Sequence, residues 1–222
     1  MDDIIPDIVH FHHRARRLLM IVDIVSWVAV GLAFITCTTI LVARDWRVSL
    51  GALAIQYLFV FWLVTRHLPF AMGSVKLIAG WMVVATLGMT RLGLSAADTQ
   101  EQDPSFMRGR PFRIALMGIV ALVAAGAAPR IEAVIPGLGL PVITGSLLLI
   151  GGGIVQLGLT DDHLRVTLGL LTLLAGFEIL YAAVESAILV TGLLAVINLG
   201  LGVLGSYLLV AGSVPLVVEE EI

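Results

Sequence analysis

The chain has 222 residues, 59% of them hydrophobic and only 13% charged, with a formal net charge of −3 and a mean hydropathy of +1.05. That leaves too little polar surface to solvate a soluble domain of this size and no basic surface to hold nucleic acid, so the composition points to an integral membrane protein. Apolar runs long enough to cross about 30 Å of hydrocarbon recur along the chain without sustained strand-like alternation, which favours helices over a β-barrel and predicts an all-α polytopic bundle of about seven transmembrane helices.

Residues 1–17, "MDDIIPDIVHFHHRARR", place acids and histidines ahead of the arginines, and no small-residue cleavage site follows the next apolar run. The segment is therefore not a secretory signal, and 4–17 is expected to form an interfacial helix leading into the first span. His10, His12 and His13 lack thiolates or carboxylates at ligand spacing, so they read as a solvated or headgroup-facing cluster and not as a metal site. The bundle is expected over 18–216. In its first span, 18–42, Asp23 lies within reach of Arg16 or Arg17 as an interfacial pair. Cys37, the one cysteine, allows no disulfide framework or Cys-based metal site and is expected to be a small buried hydrophobe.

The second span, 47–65, contains "ALAIQYLFVFWLV" with Gln56; the third, 68–90, contains "GSVKLIAGWMVV" with Lys76. Lys76 is the only lysine of the chain, and a lysine in the interior of a span must face a partner or water. These spans make up the first half, 18–90. Residues 91–112 follow as a polar loop containing Asp98, Glu101, Asp103, Pro104, Arg108 and Arg110, a composition that suits solvent and supports no folded extramembrane domain. Substrate chemistry on a soluble head is thereby excluded.

The fourth span is expected over 113–130. Pro129, Pro136 and Pro141 are expected to end that helix and restart the next. The fifth, 139–159, opens the second half (139–216), and its glycines 151–153 suit close helix packing and not a phosphate loop, since no strand flanks them. The sixth, 164–190, holds Glu178 in "LAGFEILYAAVE" and then Glu185, two helical turns on, about 10 Å along the same face. One helix would thus present a ladder of two carboxyls. The seventh, 192–215, contains Asn198 in "LAVINLGLGVLG", and the acidic tail 217–222 closes the chain. Lys76 follows Gln56 at the same interval as Asn198 follows Glu178, as a duplicated helix pair would place them. Gln56 and Asn198 are expected to make interhelical hydrogen bonds.

Desolvation disfavours the charged form of a carboxyl and of an ammonium alike, so buried groups of either kind are suited to take up and release protons. Lys76 and Glu178, with Glu185, are the candidates for a proton or ion path. The competing reading is a static pair that sets helix register; it weighs most for Glu185, which is nearer a helix end. No nucleophile triad, metal-ligand set, or haem- or quinone-binding signature is present, so neither a cofactor nor an active site of the chain's own is expected.

At "LGLTDDHLRVTLGLLTLLAGFEILYAAVESAILV" the sequence resembles the K subunit of complex I, in which a short polar loop precedes a helix with a central "GLE". Glu178 in "GFEIL" falls where that family's membrane glutamate falls. The length, the seven spans, the lysine of "SVKLIAG" and the preceding Gln56 helix are similar to the hydrogenase-4 component E proteins, with Lys76 at the position of that group's membrane lysine. The resemblance covers about 47–90 and 155–212. Two features depart from it: Asp161 and Asp162 stand where the K subunit usually has basic residues, and no second glutamate occupies the following span.

The resemblance implies a non-catalytic membrane subunit of a complex I-like or group 4 hydrogenase-like assembly in a prokaryotic cytoplasmic membrane. Antiporter-like subunits and membrane lipid would be its partners, and the redox centres would sit elsewhere. A C-subunit-like component of a multisubunit cation/proton antiporter and a purely structural subunit are the alternatives. Arg44, Arg47, Arg91, Arg108, Arg110, Arg113 and Arg165 outnumber Arg14, Arg16, Arg17, Arg66 and Arg130 on the opposite side, which places the long loop and the C-terminus in the cytoplasm.

Overall fold

A computed structural model describes residues 4–94, 109–185 and 187–213. Among these residues are seven helices: α1 Ile4–Val42, α2 Trp46–Val64, α3 Phe70–Leu94, α4 Arg110–Val134, α5 Leu140–Gly158, α6 His163–Val184 and α7 Ile188–Gly212. Each contains a stretch long and apolar enough to cross a membrane, so the chain is a polytopic helical bundle. Residues 95–108 of the polar loop, the tail 217–222 and the side chains of His10, His12 and His13 lie outside the described residues.

The segment expected at the interface, 4–17, is the first part of α1, which runs unbroken into the span from Met20. At 39 residues, α1 is about 58 Å long, nearly twice the hydrocarbon thickness. α3 runs on to Leu94 and α4 begins at Arg110, both inside the expected loop 91–112, and α7 begins at Ile188; two further differences have a local cause. Pro129 does not end α4, which continues to Val134. Pro129 is exposed on the outer face of α4, and the last turn is tied down by Glu132, whose carboxylate accepts from the backbone N–H groups of Gly137 and Gly139. Both glycines have positive φ, a conformation they adopt without a Cβ clash, so the α4–α5 turn closes tightly.

The second difference is at α6, which ends at Val184 instead of 190. Twenty-two residues already span about 33 Å. The turn falls at the polar Glu185, where the backbone becomes extended and its N–H bonds to Tyr181 O.

Successive helices are antiparallel, and contacts between turns mark the two faces of the bundle. On the face where α2, α4 and α6 end, Arg66 Nη2 lies 3.2 Å from Asp23 Oδ1 and His67 Nε2 lies 2.9 Å from Leu138 O. Asp23 therefore pairs with the α2–α3 turn, because α2 returns Arg66 to the level of Asp23; the side chain of Arg17 lies outside the described residues. On the other face, Arg113 Nη1 donates to Leu41 O at 2.9 Å and Arg165 Nη2 to Ala43 O at 2.8 Å. These guanidinium groups meet carbonyls at the end of α1 that no further helical turn can satisfy. Arg113 is buried, although its composition class places arginine at the surface.

Small residues decide which helices touch most closely. α5 and α6 meet backbone to backbone: a Cβ on Gly153 would lie 2.8 Å from Gly169 O, and one on Gly176 would lie 2.7 Å from Ser146 O. The three-glycine run serves three neighbours, since Gly151 faces Val120 of α4, Gly152 faces Cys37 of α1 and Met117 of α4, and Gly153 faces Leu173 of α6. Cys37 is buried against that glycine. α1, α2 and α3 pack respectively on α5, α6 and α7, and α4 lies outside against α5 and α1.

Two outcomes follow from this packing. Gly153→Ala overpacks the α5–α6 contact and should cost about 1–3 kcal/mol, whereas Gly126→Ala, with open space around it, should be neutral or slightly stabilising; thermal unfolding in mild detergent compares the two. Single cysteines at Arg91 and Ser213 should react with an impermeant reagent from one side of the membrane, and those at Arg66 and Glu132 from the other. Labelling of Arg91 and Ser213 from opposite sides would contradict the helix order.

Candidate functional site

Four helices converge on one buried polar cluster. Lys76 sits on α3, six residues after the helix begins, and Glu178 sits on α6, six residues before it ends, so each is about 9 Å inside its helix terminus. Because α3 begins on the face where α6 ends, these offsets bring the two side chains to the same depth. Lys76 Nζ lies 3.6 Å from Glu178 Oε2, with side-chain exposures of 2% and 0%. Neither atom makes a hydrogen bond among the described residues, and the distance is that of an ion-pair contact longer than a hydrogen bond.

The other carboxylate oxygen is held from α7. Asn198 Nδ2 donates to Glu178 Oε1 at 3.2 Å, and Tyr57 of α2 donates its hydroxyl to Asn198 Oδ1 at 3.1 Å. All four side chains are buried, so the cluster is walled from lipid by the helices that build it. Gln56, next to Tyr57, points to a different neighbour: its Nε2 makes a long 3.5 Å contact with Thr172 Oγ1 of α6, and its Oε1 is buried without a hydrogen bond.

Of the residues singled out in the sequence, Lys76, Glu178 and Asn198 are in one cluster and Gln56 is beside it. Asp23 is at the surface, on the salt bridge to Arg66. Glu185 is not on a ladder with Glu178, because the helix that would align them ends at Val184 and leaves Glu185 exposed in the α6–α7 turn.

Tyr57 and Thr172 went unnoticed in the sequence. Tyr57 carried a usable signal: a phenol in the middle of an apolar span must find a hydrogen-bond partner. Thr172 carried none, since a threonine in a membrane helix can satisfy its hydroxyl on its own backbone. Among the described residues no three His, Cys, Asp or Glu side chains gather where they could hold a metal ion.

Such a cluster can do two things. It can hold a fixed ion pair, or it can pass a proton between Nζ and Oε2, breaking an N–H bond and forming an O–H bond so that ammonium and carboxylate become amine and acid. A variant pair measures the charged pair's structural worth. Lys76→Met leaves Glu178 facing an apolar group and should cost about 3–5 kcal/mol if the carboxylate stays ionised, while Lys76→Met combined with Glu178→Gln should recover most of that loss. Yield and thermal stability of the membrane-extracted chain are the readouts; a single variant as stable as the double would show that Glu178 takes up a proton once the lysine is gone.

No family model, no curated protein and no solved structure matches this chain.

Proposed function

We propose that the chain is a non-catalytic membrane subunit of a complex I-like or group 4 hydrogenase-like assembly in a prokaryotic cytoplasmic membrane, and that the Lys76–Glu178 pair is a proton-exchanging station on its ion path. One observation carries this reading: an acid and a base 3.6 Å apart with almost no exposure, each on a different helix of a membrane bundle. Ionisable side chains are costly at that depth and are used there chiefly where charge must move. Further support comes from the resemblance of "GFEIL" and "SVKLIAG" to the K subunit and the component E proteins. Electron transfer belongs to other subunits in this proposal, and antiporter-like partners lie beside the chain. Large apolar side chains exposed along α4 and α7, among them Leu122, Val123, Leu193 and Val196, suit contact with lipid or with such partners.

A static role is favoured by one specific feature, the Tyr57–Asn198–Glu178 chain of hydrogen bonds, which would also serve to fix the register of α2, α6 and α7. The two readings part on Glu178→Gln. The amide keeps the volume and the bond to Asn198 but cannot exchange a proton. At an exchanging station Lys76 gives up its own proton once its partner's charge is gone, so the assembly should form in full while ion translocation per electron falls roughly tenfold or more, whereas a static pair would leave a buried cation and lose assembly. Glu185→Gln, at the surface, should translocate as the wild type does. Yield of intact complex and translocation are measured together for each variant. Full assembly with undiminished translocation in Glu178→Gln would overturn the proposal, and mass spectrometry of the chain's detergent-extracted partners should find antiporter-like and iron–sulfur subunits.

A further inference from the structure

The residue that orients the pair is on neither of its helices. Tyr57 is 1% exposed, and its ring lies on Gly80 of α3, one helical turn beyond Lys76. A Cβ at position 80 would stand 2.5 Å from Cγ and Cδ1 of the ring, so the glycine makes the seat that brings the phenol across to Asn198.

An asparagine amide has two ends of opposite character. A carboxylate only accepts hydrogen bonds, so the end facing Glu178 Oε1 must be Nδ2, and Oδ1 is then turned away and requires a donor of its own. The Tyr57 hydroxyl is that donor, 3.1 Å away. The two bonds run in one sense, from hydroxyl to amide oxygen and from amide nitrogen to carboxylate. A reversed amide would set oxygen against oxygen at Glu178. With Oε1 held from α7, the carboxyl group is oriented and Oε2 is the oxygen presented to Lys76 Nζ. Gln56 does not do this work, since its amide reaches Thr172.

We propose that Tyr57, seated on Gly80, is a positioning residue: it holds Asn198 in the amide orientation that donates to Glu178, and so aims Oε2 at Lys76. The geometric part stands by itself; its consequence for proton movement rests on the reading of the pair as an exchanging station. A sequence search for ionisable residues passes over both members of this device, a neutral phenol and a glycine.

Two substitutions attack it from opposite ends. Tyr57→Phe keeps the ring and removes the donor; Gly80→Ala keeps the donor and displaces the ring. In the full chain within its assembly, the infrared carboxyl band of Glu178 is identified as the one lost in Glu178→Gln. Both substitutions should shift that band in the same direction and slow translocation by roughly fivefold, the factor for losing one neutral buried hydrogen bond; Tyr57→Phe should leave the assembly intact, and Gly80→Ala should lower its yield. Tyr57→Leu added to Gly80→Ala should relieve the overpacking and restore yield without restoring the band. A Glu178 band unmoved in Tyr57→Phe would overturn the positioning role, whatever happens to translocation. Shifted bands together with undiminished translocation in Glu178→Gln would leave the positioning role standing and remove the exchanging station. If Gly80→Ala does not assemble, Tyr57→Phe alone decides.

Discussion

A lysine and a glutamate that meet in the interior of a membrane bundle impose a condition on everything around them: lipid must be kept from both. A single helix cannot meet that condition, because any side chain on it faces hydrocarbon over part of its circumference. The pair here is enclosed by α2, α3, α6 and α7, each contributing one side chain to the cluster. The rest of the molecule is arranged to let those helices come close enough.

That closeness depends on residues with little or no side chain. There is scarcely any hydrophobic driving force between helices in lipid, so packing and polar contacts must hold them. α5 meets α6 over Gly153, Gly169 and Gly176, α3 takes the Tyr57 ring at Gly80, and α7 accepts Val83 at Gly202 and Thr167 at Gly205. Glycine costs helix propensity at every one of these positions, and the return is backbone approach that no larger residue permits. Arg113, buried, and Arg165, half-buried, act in the same spirit at the C-terminal end of α1: they occupy carbonyls that no further helical turn can satisfy.

The order of packing has its own logic. Each helix of the α1–α3 set lies on its counterpart in α5–α7, with α4 returning the chain to the starting face outside the main core. This is the adjacency that a duplicated three-helix unit would have, and it sets Gln56 and Glu178 on counterpart helices, and likewise Lys76 and Asn198. The chemistry is nonetheless one-sided. One helix pair supplies the ionisable carboxyl and its amide donor, the other supplies the lysine and the phenol, so a single pair forms between the halves.

Composition and periodicity alone determined that the chain crosses a membrane as seven helices, because the requirement for roughly twenty apolar residues per span is local and additive. They also identified Lys76 and Glu178, since an ionisable group in an apolar run is anomalous wherever the run is placed. Helix ends were less legible. Pro129 was taken as a terminus although α4 runs past it to Val134, and Glu185 was taken as helical although α6 stops at Val184. In a nearly uniform apolar run the position of a turn is decided by bilayer thickness and by neighbouring helices, neither of which leaves a mark on residue type. Partnership was decided only by the tertiary structure. That Asn198 bonds Glu178, that Tyr57 bonds Asn198, and that Asp23 pairs with Arg66 all depend on helix rotation and depth. Those are set by where glycines let backbones approach, a property of two helices together and of no single segment.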